Sequence, residues 1–410
     1  MSDTTDTIEA RGRQLERRVV DVGEELRTAL RELVGGLPTS PRSPGALATA
    51  LSLDKVLATR AMKVVRAGEP LSAIHVSPGP APLRRVIEAA QRGKAAAPLV
   101  KRAHRAVDDF EHLIREAGDR SALEAMVSGW LPDSRREFEL RRKQAAYRAM
   151  SHLIGASAET SLAAVFLHPS EDPNLLDIVW VFGILGLKRH RLGTRVRLAS
   201  RRIAKPDAPR RPTTLDGHPV DDLAGLRLDE FCSTPPPQLD VHGGGEVIRY
   251  TLPDAQLDPS ATSDLVFAEV NRAELDRYVP ADAGRRTYFF AEVTTPAVRL
   301  HFDVFVHEDV YPSGEPSLAI YDTVLEGVAS VNDRGRDLDR LDLEESIRPL
   351  GADLRRFRAS SVPGYHELLR SVHEKLGWDP ARFVGYRCVI DYPIYGTQVT
   401  MVFQPPAPPR

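Results

Sequence analysis

Two sets of side chains have the types and the spacing to do chemistry. In the string KVLATRAMKVVR, residues 55–66, a helix advancing 100° per residue gathers Lys55, Arg66, Thr59, Lys63 and Arg60 into an arc of about 140°. Leu57, Ala58, Ala61, Met62, Val64 and Val65 occupy the rest of the circumference. Such a helix can pack one side on a core and turn ammonium, guanidinium and hydroxyl groups toward phosphates and base edges. Val56 falls inside the cationic arc, where its methyls could meet a thymine C5-methyl. The second set is His301, Asp303 and His307 in VRLHFDVFVHED, residues 298–309, alternating with Leu300, Phe302, Val304 and Val306. Imidazoles and a carboxylate are ligands for Zn²⁺ or another transition metal. Ordinary alternation along a half-buried strand gives the same pattern without one. A metal site would need another His from a third strand, and His242 in DVHGGGEV is the nearest in sequence.

The first set sits in a longer signature. In GALATALSLDKVLATRAMKVVR, residues 45–66, a first helix carries Leu47 and the small Ala48, and a turn passes through Ser52 and Leu53. A second helix then begins at Asp54–Lys55, with the Asp54 carboxylate placed to cap it. This stretch resembles the helix-turn-helix of bacterial transcriptional regulators, including the winged-helix-like ones. The resemblance implies a partner, double-stranded DNA, contacted by Lys55, Val56, Thr59, Arg60, Lys63 and Arg66, and a homodimer reading two half-sites. Two positions depart from the family pattern. Ser52 stands where glycine is commonest, and Val56–Leu57 stand where small polar residues are usual. The following GEPLSAIHVSPGPAP offers room for a wing, but its prolines oppose a regular hairpin. His75, in that segment, reads as a surface or backbone-bonded histidine.

The elements that must position these groups follow from periodicity and punctuation. Ile8, Leu15, Val19, Val22, Leu26 and Leu33 have coiled-coil-like spacing, which predicts an amphipathic helix over residues 1–36 that packs in its own domain or pairs with a second copy. After GGLPTSPRSPG, helices are expected at 45–51, 55–66, 82–93, 97–117, 120–129 and 134–154, giving a helical domain over 37–155. Strands are expected at 161–168, 175–185 and 194–200 within a segment 156–203, and a Pro-rich loop over 204–220. An α+β domain over 221–410 would hold strands at 246–252, 263–270, 286–293, 298–306 and 317–324 and helices near 337–358 and 364–377. A closing hairpin-like pair is expected around Pro393 and Gly396. The fold class is therefore α+β, an all-helical N-terminal part followed by a strand-rich C-terminal one.

Composition bounds the function. The 410 residues carry 42% hydrophobic and 27% charged side chains, which excludes a disordered or fibrous chain. Residues 1–210 hold 35 Lys+Arg against 25 Asp+Glu, a net +10, and residues 211–410 hold 20 against 32, a net −12. Arginine outnumbers lysine 47 to 8, which reads as a GC-rich bacterial coding bias and weakens Arg content as a sign of phosphate binding. A denser basic stretch, residues 188–211, reads as a solvated or domain-docking face in preference to a phosphate-contacting ribbon. The acidic run Asp333 to Glu345 lacks Ca²⁺-loop spacing and reads as a solvated helix face partnered by Arg334, Arg336, Arg340 and Arg348. HGGG at 242–245 has no accompanying Gly-x-Ser-x-Gly, and no phosphate-loop or dinucleotide fingerprint occurs. Two cysteines exclude a thiolate cluster or a disulfide framework, and the absence of a signal-like start or a long apolar run predicts a cytoplasmic protein without a membrane partner. The leading expectation is a non-enzymatic transcription regulator with no cofactor, whose C-terminal half senses a small-molecule effector or mediates assembly. The alternatives are a metal-dependent enzyme or small-molecule-binding protein centred on the 298–309 strand, and a protein–protein adaptor.

Overall fold

A computed structural model describes the chain except for residues 1, 131, 192–193, 195, 203–211, 221–222, 236–238, 245–246, 253–261, 281–282, 312–314, 353 and 410. The chain forms two compact units, Met1–Glu139 and Leu140–Arg410. The described residues of the first unit are all helix and turn: α1 (Ser2–Gly35), α2 (Pro44–Leu51), α3 (Lys55–Arg66), α4 (Pro70–Val76), α5 (Pro80–Arg92), α6 (Ala97–Glu116), α7 (Arg120–Trp130) and the start of α8 (Pro132–Ile154). Proline stands in the first turn of α2, α4, α5 and α6, where its fixed φ suits a helix and its missing N–H costs nothing. Val19, Leu26, Ala29, Leu30 and Leu33 of α1 lie in one core with Leu47, Leu57, Ala61, Ile74, Val86 and Phe110. From Leu15 to Leu33 the apolar seam of α1 packs within its own unit, and the side chain of Ile8 lies outside the described residues. An added Cβ on Gly23 would lie 2.3 Å from the Pro70 carbonyl oxygen, so glycine there lets α4 approach α1 closely. Residues 70–76, where the sequence left room for a wing, form α4.

In the second unit a mixed six-stranded sheet has the order β10-β11-β8-β1-β2-β6. Its strands are β1 (Ala156–Pro169), β2 (Leu175–Arg189), β6 (Ser263–Asp276), β8 (Ala297–His307), β10 (Arg348–Gly351) and β11 (Phe383–Asp391). Only the β1/β8 pair of this sheet is parallel. A second sheet, β7 (Thr287–Glu292), β12 (Thr397–Phe403) and β9 (Ser317–Asp322), and a third, β3 (Val196–Arg202), β5 (Val247–Leu252) and β4 (Asp240–Gly244), have three strands each. Alternate side chains of β1 divide between two cores. Leu162, Ala164 and Phe166 pack with Leu368, Leu369 and Val372 of α9 (Tyr365–Leu376), while Ala163, Val165 and Leu167 pack with Phe289, Val399 and Met401 of the second sheet. Burial on both faces explains why β1 reads as a continuous apolar run.

The α+β organisation agrees with the sequence, and several details do not. Helix α8 continues across the unit boundary: its Lys143 pairs with Glu345, and the Tyr147 ring packs at a 49° tilt against Tyr392 with centroids 5.4 Å apart, so its second half belongs with the sheets. The described part of the expected interdomain loop, 212–220, returns to β6, with the Thr213 amide donating to the Val270 carbonyl at 3.0 Å. Residues 203–211 of that loop and of the basic stretch, and Arg195, lie outside the described residues. Within β3, Val196 is buried and Arg197 exposed, as alternation predicts. No α-helix forms among the described residues of 337–358, which hold only the 3₁₀ turns Arg334–Asp339 and Leu354–Phe357 at their ends. Arg336 is buried, bonded to Asp339 at 2.6 Å and to the Gly327 carbonyl at 2.8 Å, and β10 follows. The closing strands β11 and β12 are not a hairpin. Each enters a different sheet, because left-handed Tyr392 (φ 52°) and Gly396 (φ 79°) swing the chain across. None of the described helices is long and apolar enough to cross a membrane.

Candidate nucleic-acid interface

Local sequence fixes the α2–α3 corner. Ser43 caps α2, accepting from the Ala46 amide at 3.2 Å. Ser52 ends α2 in the left-handed region (φ 51°, ψ 45°), the conformation for which glycine is commonest in such turns. The Asp54 carboxylate then accepts from the Leu57 amide at 2.8 Å and starts α3. Leu57, Ala58, Ala61, Met62 and Val64 are buried. Lys55, Val56, Arg60, Lys63 and Arg66 are exposed and Thr59 is half-buried, so the cationic arc faces outward. Val56 is 71% exposed, which places it outside the core.

The six side chains differ in freedom. The Thr59 hydroxyl donates back to the Lys55 carbonyl at 2.7 Å, Arg60 donates to the Ser77 carbonyl at 3.3 Å, and Arg66 donates to the Arg42 carbonyl. The Lys55 and Lys63 amines make no hydrogen bond or ion pair among the described residues, and no cation of the arc is paired with a carboxylate there. Elsewhere in the unit the contrast is plain. Arg84 binds Asp108 and Glu111, Arg102 binds Glu25 and Glu32, and Arg120 binds Glu124. A cation at the first position of α3 also opposes the helix dipole, so helix stability does not account for Lys55.

The structure does not assemble a metal site from His301, Asp303 and His307. His301 and His307 are six residues apart on β8, about 20 Å along an extended strand, too far to share one ion. β8 is also not half-buried, since core lies on both of its faces. Arg387 of β11, directly opposite in register, grips the fully buried Asp303 through Nε at 2.9 Å and Nη2 at 2.7 Å. The Tyr365 hydroxyl donates to the same carboxylate at 2.7 Å, and His301 lies 3.2 Å from it and from the Ser361 hydroxyl. Burial alone would raise the Asp303 pKa, but the charges of His301 and Arg387 outweigh it and hold the carboxyl below its usual range. Burial beside this carboxylate pushes Tyr365 well above the usual phenol value. His307 lies apart, its ring 4.7 Å from that of His168, which stacks on Trp378. The side chain of His242 lies outside the described residues, and no group of three metal-ligating side chains occurs among the described ones.

A cleft that sequence reading missed lies in the second unit. It encloses about 500 Å³, with β1, β2 and β6 at its base, β7 on one side and Arg197 and Leu198 of β3 on another. Register builds the base: Ala163 pairs with Phe182, Phe182 with Phe267, and Trp180 with Glu269. Phe182 and Phe267 stack at 5.4 Å, and Trp180 approaches Phe290 of β7 at 6.5 Å. Glu269 and Glu292 face this space without a hydrogen bond or ion pair among the described residues, and although Glu292 is exposed at the cleft mouth, desolvation by its neighbours raises its pKa. Only alternation on each strand hinted at these residues, because five strands distant in sequence bring them together. No protein-family model, curated protein or solved structure matches the chain.

Proposed function

We propose that this protein is a sequence-specific DNA-binding transcriptional regulator that engages duplex DNA through the outer face of α3 and carries a small-molecule-sensing role in its second unit. The observation that carries the reading is the cationic arc Lys55, Arg60, Lys63 and Arg66, without a carboxylate partner among the described residues and with Val56 exposed within it, on a helix whose other face is fully used by the core. Lys55 and Lys63 supply phosphate contacts, and Arg60 and Arg66, tethered to backbone carbonyls, are held in a fixed orientation. Val56 is placed to meet a thymine methyl. With α4 in place of a wing, recognition rests on α3. It operates as a homodimer on two half-sites.

Selection of bound duplexes from a random library, followed by mobility-shift titrations at several salt concentrations, tests this. Enrichment of a two-fold-related sequence is expected, with affinity falling as salt rises. The double variant Lys55→Ala with Lys63→Ala should flatten the log–log salt slope by about 2 per half-site, close to one for each ammonium taken away from a phosphate. Failure to enrich any duplex, or an unchanged slope in the variant, defeats the proposal. Val56→Ser should relax preference at one A·T position, and an unaltered selection would remove Val56 from the interface.

A further inference from the structure

We infer that the cleft over β1, β2 and β6 is a binding site for a lipophilic organic cation, such as an aromatic or aryl-substituted onium compound. This deepens the sensing role proposed above by naming its ligand class. The volume, about 500 Å³, lies within the range of sites that hold drug-sized molecules. Trp180, Phe182 and Phe290 present rings to it, and ring faces attract cations. Among the described residues two carboxylates without a partner, Glu269 and Glu292, line it beside one guanidinium, Arg197. An anion would meet net repulsion there. A neutral apolar ligand would strip water from Glu269 and Glu292 and return no partner, leaving two desolvated carboxylates. A hydrated metal ion would leave the rings unused. A cation with aryl groups answers both features at once, placing its charge between Glu269 and Glu292 and its rings against Trp180 and Phe290.

Tetraphenylphosphonium and tetraphenylborate, alike in shape and opposite in charge, make a direct test by calorimetry on the full-length protein. Tetraphenylphosphonium should bind at one site per chain, and tetraphenylborate should bind at least about tenfold more weakly. The isosteric variants Glu269→Gln and Glu292→Gln should each weaken the cation severalfold, and the double variant by more than about tenfold, with unfolding midpoints near that of the parent. Trp180→Leu should weaken both ions. No binding of the cation, equal binding of the two ions, or an unchanged cation affinity in the double Gln variant overturns the inference. Since no DNA is present in this measurement, its failure leaves the α3 reading standing, and failure of the duplex selection leaves the cleft standing.

Discussion

Removing Arg387 tests whether the His301–Asp303–Arg387–Tyr365 cluster is a buried structural clasp. In Arg387→Met the fully buried Asp303 keeps the Tyr365 hydroxyl and the His301 ring but is deprived of both guanidinium hydrogen bonds, at 2.9 and 2.7 Å. Breaking one side of a buried pair costs about 3–5 kcal/mol. The guanidinium also donates to the Arg358 and Phe357 carbonyls, at 2.8 and 2.7 Å, and removing each of these bonds adds about 1 kcal/mol. Asp303→Leu alone strands the guanidinium and should cost about 3–5 kcal/mol as well. The double variant removes both members of the Asp303–Arg387 pair and leaves the two carbonyls, the Tyr365 hydroxyl and the His301 ring without partners, so the cost should fall to about 4 kcal/mol, well below the sum of the singles. The two changes are therefore coupled by several kcal/mol. Urea denaturation followed through Trp180 and Trp378, both in the second unit, measures all three. A cost below about 1 kcal/mol for Arg387→Met, or a double variant as damaged as the sum of the singles, refutes the clasp. A chelator should leave the midpoint unmoved, and a chelator-dependent midpoint would revive the metal reading of His301 and Asp303.

Three further outcomes are expected. His373 of α9 is buried among Phe166 and Phe383, and burial depresses its pKa to about 4, so the unfolded chain binds the proton at a higher pH than the folded one. Stability should then fall as pH drops from 6.5 toward 4, by about 2.5 kcal/mol between pH 7.5 and 4.5 from this group, and His373→Leu should flatten that portion of the stability–pH curve. Asp54→Ala should cost about 1 kcal/mol in thermal or urea unfolding of the first unit through removal of the cap, and Ser52→Val should cost more than Ser52→Gly because a β-branched residue resists φ 51°. Gly23→Ala, which would drive a methyl to 2.3 Å from the Pro70 carbonyl oxygen, should destabilise the α1–α4 packing, and a variant as stable as the parent would show that the packing there is slack.

The first unit was largely legible because its signals are local. Asp54, Ser43 and the helix-opening prolines act within one turn of themselves, so the bounds of α2 and α3 follow from the string alone. The acidic segment misled because Asp and Arg at helical spacing also suit a loop whose partners lie far away: Arg336 closes on the Gly327 carbonyl, and Glu345 reaches Lys143 across 202 residues. His301, Asp303 and His307 shared a strand face as read, but the side chains that decide their chemistry, Arg387 and Tyr365, come from β11 and α9. The cleft is the extreme case. Trp180 and Glu269 face each other only because β2 pairs with β6, and sheet order is written in the packing of the whole unit and not in any one stretch.

The charge layout changes meaning once the units are known. Cut at residue 210, the chain reads +10 and −12, but the structural boundary is Glu139/Leu140. Residues 1–139 hold 22 Lys+Arg and 20 Asp+Glu, a net +2, and residues 140–410 hold 33 and 37, a net −4. The positive excess therefore lies mainly in residues 140–210, outside the helical unit. A unit with so little net charge gives weak long-range steering toward a polyanion, so the proposed DNA contact rests on the local arc of α3. Four cations on one short helix limit the salt slope to about −3.6 for a single site and give modest affinity. A regulator built this way gains its specificity by repeating the site, which makes two α3 helices on one duplex a physical requirement of the proposed function and not only an inheritance from the resemblance.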